Sequence, residues 1–93
     1  MADVHLPPTL PPLFPGLPRR LDVEAASVQD AIAQLDARWP GLRDRVCEPA
    51  GEGSDGIALR PHVRAFVDGE RAELATPLAA GSRLDVIAAI SGG

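Results

Sequence analysis

The sequence predicts an α+β domain, a small mixed sheet of about five strands covered by one main helix. Three observations predict it. Short segments of strict apolar–polar alternation recur along the chain. Only one segment, the one after Ser27, carries apolar residues at helical spacing. At 93 residues, the chain has material for one core, because a domain of this size buries only about 60% of its unfolded surface. The balance of 45% hydrophobic and 24% charged residues is that of a globular protein. With Phe14, Trp39 and Phe66 as the only aromatics, the core must be built from Val, Ile, Leu and Ala.

Asp3 to Leu6 alternates, with Val4 and Leu6 on one face, and stops at Pro7-Pro8. Six of the ten prolines then fall between Pro7 and Pro18. Proline has no N–H to give a sheet ladder, so this stretch reads as a stiff connection between two strands. Its composition also fits a polyproline ligand for a partner domain, and that alternative stays open. Arg19 to Glu24 alternates again, with Leu21 and Val23 inward.

Ser27 opens the helix, with Asp30 placed to act in a capping box near the positive end of the dipole. Val28, Ala31, Ile32, Leu35 and Trp39 form its apolar stripe. Asp30, Gln34 and Arg38 take the solvated side, and Pro40-Gly41 ends the helix by Trp39. Leu42 to Val46 adds a short turn. Cys47 to Arg60, with Pro49, Gly51, Gly53 and Gly56, reads as a loop. Its Gly-Glu-Gly-Ser-Asp-Gly run has the glycines of a phosphate cradle. It lacks the Lys-Ser/Thr ending, and two acidic residues would repel phosphate, which argues against a nucleotide site.

His62 to Asp68 is the clearest strand, with Val63, Ala65 and Val67 toward the core and Arg64 and Phe66 outward. Asp68-Gly69 is a hairpin turn signal. A brief strand follows at Arg71 to Leu74, then a turn at Thr76-Pro77-Leu78, a loop at Ala80-Gly81, and a last strand from Arg83 to Ala88 with Leu84 and Val86 inward. The single helix is the crossover that lets the first and last strands run parallel while the hairpins stay antiparallel. That arrangement is a β-grasp, or ubiquitin-like, fold. Residues 1–89 are expected to form it, with 90–93 as a flexible tail.

Composition narrows the chemistry. A lone cysteine, Cys47, excludes an internal disulfide and a Cys-rich zinc or iron–sulfur site. Near it only Arg43 and Arg45 are basic, and it reads as structural or incidental. His5 and His62 lack the spacing of a metal pair and read as surface residues, so no metal site is expected. The net charge of −4 argues against a nucleic-acid partner. All nine basic residues are Arg, which fits the codon bias of a GC-rich genome. The absence of Lys excludes a P-loop lysine, a Schiff-base lysine and an isopeptide acceptor. No apolar run approaches the ~20 residues of a membrane span and no secretory signal opens the chain, so a cytoplasmic location without membrane contact is expected.

The ending Ile90-Ser91-Gly92-Gly93 is where chemistry is expected. Glycine is entropically costly to order, so a structural role there is disfavoured. The alternative is a frayed terminus without function. A tail without Cβ atoms can thread a narrow channel, and Ile90 to Gly93 spans roughly 13 Å when extended. A carboxylate is a poor acyl donor until adenylation gives it a leaving group. No ATP site is visible in the chain, so a partner must supply that step. Phe66 and Ile87 both point away from the expected core. If their strands pair, they form a side-by-side apolar patch flanked by Arg64, suited to partner docking.

The two N-terminal strands, the Ser27–Trp39 helix, the Val63–Gly69 strand and turn, and the ending Leu-Asp-Val-Ile-Ala-Ala-Ile-Ser-Gly-Gly resemble the ubiquitin-like sulfur-carrier proteins of the MoaD/ThiS group. The resemblance covers nearly the whole chain. The Trp-Pro-Gly-Leu-Arg-Asp-Arg-Val-Cys-Glu-Pro segment and the long stretch before His62 are similar to the CysO-like branch. Ser91 departs from the Ala or Thr common there. The resemblance implies that the chain is a protein cosubstrate without an active site or bound cofactor of its own. It implies a partner activating enzyme (E1-like, of the MoeB/ThiF type) that spends ATP with Mg²⁺ to adenylate Gly93. It further implies a rhodanese- or desulfurase-type sulfur donor that leaves a thiocarboxylate on Gly93, and a sulfur-accepting biosynthetic enzyme. That acceptor would be a cysteine synthase or an enzyme of secondary-metabolite or thiosugar type. The alternatives are the small subunit of molybdopterin synthase, a ubiquitin-like modifier forming isopeptides through Gly93, and a plain β-grasp binding domain.

Overall fold

The computed structural model describes residues 1–49 and 57–88. In chain order its elements are β1 (Ala2–His5), a 3₁₀ turn at Pro11–Leu13, β2 (Arg20–Val23), α1 (Val28–Arg38), α2 (Leu42–Val46), β3 (Cys47–Pro49), β4 (Ile57–Leu59), β5 (Val63–Val67), β6 (Glu70–Ala72) and β7 (Arg83–Ala88). Five strands pair in the order β2-β1-β7-β5-β6. At the centre β7 runs parallel to β1, with Val4 beside Leu84, and antiparallel to β5, with Ala65 beside Val86. The expected parallel pairing of first and last strands is present, and the fold is an α+β β-grasp.

One face of the sheet carries Ala2, Val4, Val63, Ala65, Leu84 and Val86, all buried. Helix α1 covers it with Val28, Ala31, Ile32 and Leu35. Alternation on the strands and 3.6-residue spacing on the helix therefore meet in one core. Val67 and Leu21, toward the ends and edge of the sheet, are only half-buried.

The helix start forms as its sequence implies, with one refinement. The Asp30 N–H donates to Ser27 Oγ at 3.1 Å, while the Asp30 carboxylate accepts from the Ala26 N–H at 2.9 Å, one residue beyond the usual capping-box donor. Gln34 donates to the Glu24 carbonyl and to Asp30. Asp30 and Gln34 are therefore half-buried anchors of the β2–α1 connection, and of the three residues expected on the solvated side only Arg38 is exposed. At the other end the Trp39 indole donates to the Pro15 carbonyl at 3.2 Å, fastening the helix terminus to the proline-rich segment. Asp68 and Gly69 both have positive φ (52° and 88°), the conformation a two-residue primed hairpin turn requires.

Two expectations are corrected. The proline-rich segment is more than a connection, because Leu10 and Leu17, each 5% exposed, are core residues. Prolines on either side of them hide any period, so alternation could not reveal their burial. Cys47 to Arg60 is not simply a loop. β3 and β4 pair antiparallel as a separate two-stranded sheet, with Cys47 opposite Leu59 and Pro49 opposite Ile57. Each arm is only three residues long, too short to show a period, and Pro49 is tolerated at a strand end. The Gly51–Gly56 run lies outside the described residues.

Two substitutions test this packing. Leu84→Ala removes a side chain with no exposure from the central strand and should cost about 3 kcal/mol in urea unfolding. Ser27→Ala removes the cap alone and should cost about 1 kcal/mol.

Candidate docking face

The face of the sheet opposite α1 is built by register. His5 lies beside Arg20 on one side and Asp85 on the other, Asp85 lies beside Phe66, and Phe66 lies beside Arg71. One residue from each of the five strands thus forms a single row. Ile87 sits opposite Arg64 and diagonal to Phe66. The expected side-by-side pair of Phe66 and Ile87 is corrected in this respect, because the register places Asp85 and Arg64 as their direct partners. Ile87 is 48% exposed, one of the few large apolar side chains so open, whereas Phe66 is half-buried. Arg64 is half-buried and its guanidinium donates to the Pro61 carbonyl and, at 3.2 Å, to the Val63 carbonyl. Its head group is thus held at the start of β5.

The β1–β7 side of the face is polar. Arg20 grips Asp3 through Nε and Nη2, both at 3.1 Å, and His5 Nε2 lies 3.0 Å from the same carboxylate. Arg83 grips Asp85 at 2.9 Å, and His5 Nδ1 lies 3.9 Å from Asp85. The hydrogen bond from His5, and after it that from Arg20, holds the Asp3 carboxyl below its ordinary pKa. His5, expected at the surface, is half-buried between two carboxylates, because β1 is an interior strand of the sheet. His62 is exposed. Sequence reasoning missed the Asp3–His5–Arg20 and Arg83–Asp85 clusters. Their outward parity was legible, but their neighbours depend on a register that only the pairing supplies.

Strand β7 ends at Ala88, one residue beyond Ile87, and a hollow of about 460 Å³ beside them is lined by His5, Pro7, Arg20, Asp85 and Ile87. Ile90, Ser91, Gly92 and Gly93 lie outside the described residues. Cys47 is 3% exposed, and burial pushes its thiol pKa up against the pull of Arg43 and Arg60, which is the environment of an unreactive thiol. Among the described residues no group of three or more His, Cys, Asp or Glu could hold a metal ion, and no helix is long and apolar enough to cross a membrane.

A family profile described as the ThiS family matches residues 13–93. Among solved structures, Haloferax volcanii small archaeal modifier protein 1 is 33% identical with a TM-score of 0.71, covering 99% of this chain and 98% of its own. Mycobacterium tuberculosis CysO is 23% identical with a TM-score of 0.79, covering 97% of this chain and all of its own. The Amycolatopsis orientalis BexX/CysO complex contains a chain 21% identical with a TM-score of 0.77, matched over the full length of both. The last two likenesses are of fold. No curated protein sequence matches the chain.

Two outcomes follow from the geometry. Because Asp3 has a lowered pKa when folded, its contribution to stability is present above the ordinary carboxylate pKa and is lost as the pH falls through the folded-state value. Urea unfolding should therefore find Asp3→Asn less stable than the parent at neutral pH, with the gap closing on acidification. The Cys47 thiol should react with a disulfide reagent only as fast as the protein opens, and at full speed in denaturant.

Proposed function

As the chain belongs to the ThiS family, we propose that it carries sulfur as a thiocarboxylate on Gly93. It is a ubiquitin-like sulfur carrier or modifier. The observation that carries the finer reading is the sequence's Gly92-Gly93, placed a few residues after the central strand of a β-grasp sheet.

The chemistry balances with catalysis supplied by partners. In the active site of an E1-like enzyme, the Gly93 carboxylate attacks the α-phosphorus of Mg²⁺-bound ATP and expels pyrophosphate. The terminal sulfur of a rhodanese- or desulfurase-type persulfide attacks the acyl carbon and expels AMP. A thiol then cleaves the acyl disulfide, keeps the other sulfur in a new disulfide, and releases the thiocarboxylate. That sulfur attacks an electrophilic carbon of the acceptor's substrate, and hydrolysis of the resulting thioester-like bond returns the Gly93 carboxylate with an oxygen from water. The carrier is a cosubstrate in the cytoplasm, and it contributes recognition through Ile87, Phe66 and the neighbouring Arg64. We place the acceptor among cysteine synthases and secondary-metabolite or thiosugar enzymes, with the large subunit of molybdopterin synthase as the alternative.

Intact mass after incubation with an activating enzyme, MgATP and sulfide tests this. A gain equal to sulfur replacing one oxygen, absent after removal of Gly93, is expected. No gain with an enzyme active on its own carrier, or a gain surviving removal of Gly93, contradicts it. Ile87→Asp should raise the carrier concentration needed for half-maximal activation roughly tenfold while leaving thermal stability nearly unchanged, because the side chain is 48% exposed.

A second reading is favoured by the 33% identity to an archaeal modifier protein. In that reading the same adenylate is attacked by a lysine amine of a target protein. Proteolytic fragments carrying Gly93 joined to target lysines would establish it.

A further inference from the structure

A groove at the β6 edge of the sheet meets the outer face at Arg64 and Arg71 and is otherwise unused by this chemistry. It has a volume of about 590 Å³ and lies between β4 and the β6 margin of the main sheet. All three residues of β4, Ile57, Ala58 and Leu59, line one side, and Arg71 and Ala72 of β6 line the other. β6 is the last strand of its sheet and β4 has only β3 as a partner, so among the described residues each strand is paired on one side alone. The floor includes the buried Ala65 and Ala72, which face each other directly across β5 and β6.

The rim is basic although the chain as a whole carries a net charge of −4. Arg60, Arg64 and Arg71 line the groove against one carboxylate, Glu73. Arg60 is turned toward the Asp44 carbonyl at 2.9 Å, with Glu48 at 3.9 Å. Arg64 is held at the Pro61 carbonyl, itself on the groove wall. Arg71 is exposed and forms no ion pair among the described residues. A strand margin with open backbone groups takes up an extended segment from another chain, and side-chain pockets and charges select which segment.

We propose that this groove binds an extended acidic segment of a partner protein, added as a strand along β6. Its apolar side chains rest on the half-buried Ile57, Leu59 and Leu74, and its carboxylates face Arg71 and Arg64. The three-residue length of β6, with Glu70 and Arg71 both exposed, disfavours open-ended sheet association while leaving room for one short strand.

Titration of ¹⁵N-labelled protein with the acetylated, amidated peptide Glu-Val-Ile-Val-Asp-Glu tests this by NMR. Shifts should concentrate at residues 57–59 and 70–75, weaken with added salt, and require roughly tenfold more peptide when Arg64 and Arg71 are both replaced by Glu. The same peptide with Lys at its acidic positions should not bind. Absence of shifts in those two segments, shifts confined to the outer face around Arg20 and Arg83, or equal binding of the Lys peptide would overturn the proposal. The Arg64→Glu/Arg71→Glu protein must retain its native spectrum. If it does not, Arg71→Glu alone, at an exposed position, reads the same loss at smaller amplitude, and unchanged affinity there also overturns the proposal.

Discussion

The parallel pairing of β1 with β7 joins the first and last strands in the middle of the sheet, and the rest of the structure is hung on it. Val4 and Leu84 meet in that pair with no exposure at all. Because β7 is central, β5 can pair on its other side, and the two antiparallel hairpins extend the sheet outward from there. The helix is needed as the crossover that makes a parallel pair possible, and its apolar stripe then closes the core. A strand held on both sides is among the last to open. The segment that leads into residues 89–93 is therefore anchored by a strand paired on both sides.

That anchoring gives the outer face its meaning. Ile87 is one residue from the end of β7, and its position relative to Phe66, Arg64 and the charged clusters is fixed by register rather than by loop conformation. A solvent-facing ion pair such as Arg83–Asp85 contributes little to stability. In the proposed docking, charges at this side of the face would exclude wrongly charged partners where the apolar area is small. The β4–β6 groove shares Arg64 and Arg71 with this face, so occupation of one surface bears on the other.

Most of the fold was legible in the sequence where one period ran long enough to read. The six-residue alternation of Arg83 to Ala88 and the stripe from Val28 to Trp39 gave strand and helix with little ambiguity. The Asp68-Gly69 turn was legible because few residue pairs tolerate two successive positive φ values. The β3–β4 pair was not, since three residues per arm carry no period. Leu10 and Leu17 were hidden by the prolines around them. On the candidate face, the parity of Phe66, Arg64 and Ile87 was readable, but the place of Asp85 between Phe66 and His5 was not. Register is a property of pairing, and no single strand contains it.

The central claim is that the carboxyl group of Gly93 is the reacting group and that this fold delivers it to an activating enzyme. Exchange of labelled pyrophosphate into ATP measures that step without any sulfur donor or acceptor. With a MoeB/ThiF-type enzyme and MgATP, exchange should depend on adding this protein and should fall to background when Gly93 is removed or when one residue is appended after it. Undiminished exchange with the shortened or extended chain would contradict the claim.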